Sequence, residues 1–130
     1  MISIDNSVWK LLNDAPNAYT IKIFFFIATN QPQDGIRGFR STKIQIQIDL
    51  KENRTNVFRA LKWLRENLLI QELKLADDFD FMANPYFIMN NSDRNERIAE
   101  WNRRCDLFIQ RKNRLRKEKR LRELRNAKKQ

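Results

Sequence analysis

Histidine is absent, cysteine occurs once, and only 2 glycines and 3 prolines interrupt 130 residues. Without histidine the chain lacks the commonest neutral-pH acid–base group and the commonest metal ligand, and Cys105 alone closes no intramolecular disulfide. No Ser–His or Cys–His pair, no phosphate-cradling glycine loop and no suitably placed pair of acids can be assembled. An enzyme is therefore not expected, nor is a cofactor or a metal. Long apolar runs are also missing: Ile21 to Ala28 is the longest, Lys22 interrupts it, and it is far too short to span a bilayer. No secretory leader is visible, so a cytoplasmic protein without a membrane association is expected.

What the chain has is helix-forming composition, an apolar complement including 9 Phe and 3 Trp, and positive charge. The net charge of +10 is unevenly spread. Residues 110–130 hold 11 Lys or Arg against Glu118 and Glu123, whereas residues 1–109 hold 15 against 14 acids. Within the latter, Ile36 to Arg65 carries eight basic residues against Asp49 and Glu52. Clustered Lys and Arg favour polyanions, because neutralising phosphates releases their counterions.

Few breakers imply mainly α structure. Near the N-terminus, Ser7 to Leu12 reads as a short docking helix with Ser7 as a possible cap. Ala18 to Asn30 is apolar on nearly every side, which suits a buried helix or a buried strand; its length and Pro16 favour helix. Asp34-Gly35 signals a turn, Ile36 to Arg40 a short edge strand, and Ser41 or Thr42 a helix cap.

The central stretch, Thr42 to Asn67, reads as two helices joined by a tight turn. Ile44, Ile46, Ile48 and Leu50 alternate with polar residues as a strand would, yet the flanking signals favour helix. Lys51 stands where such a turn usually has glycine, and a left-handed lysine costs about 1 kcal/mol. Asn53 caps the second helix, whose apolar stripe is Val57, Ala60, Leu61, Leu64 and Leu68. Opposite lies a cationic face with the look of a recognition helix. Arg54, Asn56 and Arg59 are the candidates for reading base edges, and Thr42, Lys43, Thr55, Lys62 and Arg65 for phosphate contacts. A solvated amphipathic face is the bland alternative. Phe58 is either a flank of the core or a contact to a thymine methyl.

Leu69 to Leu75 and Phe79 to Asn84 alternate around Asp77-Asp78, which predicts a β-hairpin, the wing. With Asp77, Asp78 and Asp80 at its tip, this wing would face phosphates poorly; a cation site is a less favoured reading of the same acids than a solvated turn. Asn84-Pro85 ends it, and Tyr86 to Met89 should fold back onto the core. Ser92 or Asp93 caps a final helix whose Ile98, Trp101, Cys105 and Phe108 form a seam, either a cover for the chain's own core or a homodimer interface. Cys105 reads as a small buried residue rather than a nucleophile. The basic tail, including Arg111, Lys112, Arg114, Arg116, Lys117, Lys119 and Arg120, reads as a nonspecific DNA arm in preference to an interfacial membrane helix or an inert extension.

The expected architecture is therefore α+β, mainly α with a small β-hairpin. A winged helix-turn-helix occupies residues 1–91, and a long C-terminal helix follows over 92–130, basic from about residue 110. The apolar first helix, the motif ending RALKWLRENLLIQELK and the exit FMANPYFIMNNSDRNERIAEW resemble the RepL-type plasmid replication proteins of Firmicutes. The segment Phe81-Met82-Ala83-Asn84-Pro85 is its most specific part, and the resemblance runs from about Ala18 to Phe108. It implies a winged-helix protein that binds double-stranded DNA and starts plasmid replication by recruiting host replication proteins, with its recognition helix at Arg54 to Glu66. A plasmid or phage transcriptional regulator, dimeric through the final helix, and a protein-interaction adaptor are the alternatives.

Overall fold

The computed structural model describes residues 4–88 and 92–128. Eight elements follow in order: α1 (Asn6–Asn13), α2 (Ala18–Asn30), β1 (Phe39–Ser41), α3 (Lys43–Leu50), α4 (Arg54–Glu66), β2 (Ile70–Lys74), β3 (Phe79–Ala83) and α5 (Arg94–Lys128). The strands form one antiparallel sheet in the order β1-β3-β2, with β2 and β3 as the hairpin. The architecture is α+β and mainly helical, with the helix-turn-helix at α3–α4, the wing at β2–β3 and a long terminal helix.

Helix boundaries follow local hydrogen bonding. Asn17 caps α2, its Oδ1 accepting from the Thr20 amide (3.1 Å) and hydroxyl (2.7 Å). The Thr42 hydroxyl oxygen accepts from the Gln45 amide (3.0 Å), and Asn53 Oδ1 from the Asn56 amide (2.8 Å). At α1 the cap is Asp5, not Ser7: the Ser7 amide itself donates to the Asp5 carboxylate (2.9 Å). The Asp5 amide bonds the Phe87 carbonyl (2.8 Å) and Ile4 bridges Ile88, so pairing with the segment after the wing fixes where α1 begins.

Both helices of the helix-turn-helix are followed by left-handed residues that are not glycine. Lys51 has φ 53° and Leu68 has φ 57°. After α3, the Lys51 amide bonds the Ile48 carbonyl (3.2 Å) and the Glu52 amide the Gln47 carbonyl (3.1 Å). After α4, Leu68 donates to Arg65 (3.2 Å) and Leu69 to Leu64 (2.9 Å), the same paired closure of the last turn. This turn corrects the expected stripe: Leu68 is 58% exposed, because the chain reverses there and sends Leu69 and Ile70 inward. Asn84 holds the reversal, its side chain donating to the Leu68 carbonyl (2.8 Å) and its amide to the Leu69 carbonyl (2.9 Å).

The alternation in α3 has a simple outcome. Ile46 is buried, while Ile44 and Ile48, four residues apart on the outward face, are exposed. The segment is a helix with two isoleucines in solvent.

The core joins Val8 and Leu12 of α1, Ile23, Phe24, Ile27 and Ala28 of α2, Ile46 of α3, Val57, Ala60, Leu61 and Leu64 of α4, and Ile70, Phe81 and Ala83 of the sheet. Strand alternation gives the sheet a second face, and Gln71, Asp80 and Met82 are buried on it beneath α5. The edge strand lies later than expected, at Phe39–Ser41 instead of Ile36 to Arg40, because Gly38 is used to approach β3. The Gly38 amide donates to both oxygens of Asp80 (2.9 and 3.1 Å), and a Cβ there would lie 2.3 Å from Asp80 Oδ1 and 2.4 Å from the Phe81 carbonyl oxygen. Of the segment expected to fold back, Ile88 is buried and Tyr86 exposed, while Met89 lies outside the described residues.

Two stability outcomes follow, both measurable by denaturant unfolding. Lys51→Gly should raise stability by about 0.5–1 kcal/mol, because left-handed geometry suits glycine. Gly38→Ala should lower it by about 2 kcal/mol, since neither the Asp80 carboxylate nor the β3 backbone can retreat cheaply.

Candidate nucleic-acid interface

Viewed along α4, the buried stripe Val57, Ala60, Leu61 and Leu64 lies opposite Thr55, Arg59, Lys62 and Glu66, all exposed. The side chains of Thr55 and Arg59 have no hydrogen-bond or ion-pair partner among the described residues. Lys62 lies 3.9 Å from Glu66, an exposed i,i+4 pair that contributes little. Arg54 is exposed and stacks its guanidinium 5.0 Å from the Phe58 ring centroid. Asn56 is half-buried, and its amide nitrogen donates to Glu52 Oε1 (2.9 Å).

The flank of α4 nearest the wing is occupied differently. Glu72 on β2 receives Arg65 Nη1 at 2.8 Å and Lys43 Nζ at 3.5 Å on one oxygen, Oε2. Lys43 also sits over the rings of Phe58 (5.2 Å) and Phe79 (5.5 Å). Phe58 is thus a flank of the core with Lys43 and Arg54 over its ring. Among the residues proposed for phosphate contact, Thr55 and Lys62 face solvent, Lys43 and Arg65 share the single carboxylate of Glu72, and the Thr42 hydroxyl caps α3. Sequence reasoning missed Glu72, since its charge looked like an ordinary polar position of an alternating strand.

The wing is not the acidic tip that the spacing suggested. Asp78 pairs with Arg40 (2.9 Å), and that hydrogen bond holds the Arg40 guanidinium above its ordinary pKa. Asp80 is buried in mid-strand, 5% exposed, and accepts from Gly38 and from Arg104 Nη1 (2.9 Å). Asp77 alone of the three is exposed without pairing directly, and no acid cluster able to hold a metal ion occurs among the described residues.

Arg104 links two acids, its Nε donating to Glu100 Oε1 (3.0 Å), which Arg103 also binds. Hydrogen bonding from Arg103 and Arg104 outweighs partial burial and holds the Glu100 carboxyl below its ordinary pKa. Arg97, 1% exposed, donates to the carbonyls of Pro32, Asp34 (3.2 Å) and Arg37 (2.8 Å), and burial lowers its pKa. These arginines lie one helical turn either side of Trp101, toward the same face of the helix, and it was their charge rather than their spacing that made them read as solvated.

The seam on α5 covers the chain's own sheet: Trp101 is buried, and Gln71 donates to the Trp101 carbonyl (2.9 Å) and to Cys105 Sγ (3.1 Å). Ile98, Cys105 and Phe108 are half-buried. From Ile109 to Lys128 every residue is exposed, including Arg111, Lys112, Arg114, Arg116, Lys117, Lys119 and Arg120. This arm is helical throughout, and its basic residues lie on all sides of the helix. No helix among the described residues is long and apolar enough to cross a membrane.

Compared with protein-family models, curated proteins and solved structures, the chain matches none of them.

Two measurements check the buried charges. Asp80→Asn should cost about 3–5 kcal/mol by leaving Arg104 buried beside one fewer anion. Because the folded-state pKa of Glu100 is depressed, its contribution is full above the ordinary carboxyl range and fades as pH falls through the lower folded value. Glu100→Gln should therefore remove part of the acid-side loss of stability, read as a shallower fall in Tm below about pH 4.

Proposed function

We propose that the protein binds double-stranded DNA through α4, with the arm of α5 as a second, sequence-independent grip. The observation that carries this reading is the placement of charge. The chain's excess of basic residues lies on an exposed 18-residue helical stretch, 111–128, where ten Lys or Arg face two Glu, while α4 turns Thr55, Arg59 and Lys62 to solvent. A helix about 10–12 Å across fits a major groove of similar width. Arg54 and Arg59 carry the base contacts in this reading. Asn56 contributes only after leaving Glu52, and Thr55 and Lys62 bind phosphate. Basic residues on all sides of the arm suit a groove walled by two phosphate backbones better than a flat anionic surface.

The role served by such binding rests on the resemblance of the Phe81 to Pro85 segment and its surroundings to RepL-type proteins, which favours plasmid replication initiation with recruitment of host replication proteins. Within that segment the part played by Asn84 is structural, its bonds to Leu68 and Leu69 holding the exit of α4. The charge placement serves a transcriptional regulator equally, and the two roles part on where the site lies, in a replication origin or in a promoter.

Gel shifts and anisotropy titrations with self-encoded and random duplexes test the reading. The full chain should bind both at low salt. Truncation after Ile109 should weaken both alike and flatten the slope of log K against log salt by about 0.9 for each phosphate that the arm no longer neutralises. Arg59→Ala should cost about 1–3 kcal/mol on a preferred sequence and less on random DNA. No binding by the full chain at low salt would remove the proposal.

A further inference from the structure

Glu72 stands in an unexpected place. It lies on the core-facing side of β2, opposite Phe81, in register with positions filled by Ile70 and Ala83. Its side chain is 7% exposed, both cations approach Oε2, and Oε1 is buried without a hydrogen-bond partner. A carboxylate held this way loses hydration that its two ion pairs only partly replace, so fold stability alone gives little reason for it. Its effect on its neighbours is definite. Arg65 and Lys43 remain 44% and 27% exposed at the side chain, yet one of their two positive charges is offset, at 2.8 and 3.5 Å, by a shared anion that solvent screens poorly.

We infer that Glu72 is a specificity-determining residue, an internal competitor for phosphate that holds Arg65 and Lys43 and keeps the wing-side flank of α4 from adhering to any duplex. The inference rests on the duplex-binding reading above and adds to it a division of labour. Arg54, Arg59 and Lys62 are left to meet DNA, and the two cations nearest the wing are withheld. Lys43 is restrained twice, by Glu72 and by the Phe58 and Phe79 rings, whereas Glu72 is the ion-pair partner of Arg65. Arg65 is therefore the cation that a change at Glu72 releases most completely.

The test uses the full chain and a short random-sequence duplex, titrated across a range of salt. Glu72→Gln, which removes one negative charge, should tighten binding by about eightfold at 0.1 M salt and steepen the salt slope by about 0.9. Arg65→Ala alone should change affinity by less than about twofold, since its charge is the one that Glu72 offsets at the shorter distance; added to Glu72→Gln, it should abolish most of the gain. A folded Glu72→Gln chain with unchanged affinity and slope overturns the inference. So does an Arg65→Ala chain that loses the full eightfold in the presence of Glu72, and this second measurement decides the matter if Glu72→Gln does not fold. A wild-type chain that binds no duplex at low salt defeats the duplex reading itself, a result distinct from binding that is indifferent to Glu72.

Discussion

The carboxylate of Asp80 is where the pieces of this molecule are joined. One side of it takes the Gly38 amide, drawing the segment before β1 against β3, and the other takes Arg104, seating α5 on the sheet. An anion buried in mid-strand is costly unless its lone pairs are occupied, and here amide and guanidinium donors occupy them. Arg97 works from the same helix on the loop before β1, gathering three carbonyls that would otherwise need water. Hydrophobic packing builds the α1–α4 side of the sheet, and charge-assisted hydrogen bonds fix the α5 side.

Surface cations are sorted by these internal acids. Arg40 pairs with Asp78, Arg65 and Lys43 share Glu72, and Arg103 shares Glu100 with the buried Arg104. Among the described residues the largest group of cations without an internal acid lies on the arm; others, Lys10, Lys22, Arg37, Lys51, Arg54, Arg59 and Lys74 among them, are spread over several elements. Of the eight basic residues between Ile36 and Arg65, Arg40, Lys43 and Arg65 are tied to acids on the wing strands or their turn, so the proposed DNA surface on α4 is smaller than that count implies.

Much of the fold was legible because local signals agreed. Asn17, Thr42 and Asn53 cap the helices they precede, the stripe of α4 is buried from Val57 to Leu64, and Asp34-Gly35 turns with Gly35 at φ 77°. The misreadings of charge share one cause, a residue whose partner is distant in sequence. Asp80 looked like part of an acidic turn because Arg104 lies 24 positions away, and Lys43 looked free because Glu72 lies on another element. Leu68 falls on the stripe only if the helical period is extended past the point where the backbone turns left-handed. Candidate base contacts were readable as a face of α4, but local pattern could not say which of its cations were already paired.

The length of α5 has an electrostatic consequence of its own. It runs for 35 residues, about 50 Å, and over the described residues 111–128 only Glu118 and Glu123 offset repulsion among ten Lys or Arg. Like-charged neighbours three and four residues apart weaken a helix, and dissolved ions relieve that strain within a few ångströms. Added salt thus stiffens the arm while weakening its pull on any polyanion. The extremity is straightest when it attracts least, and most ready to bend where a dense line of negative charge can replace the ions it has lost.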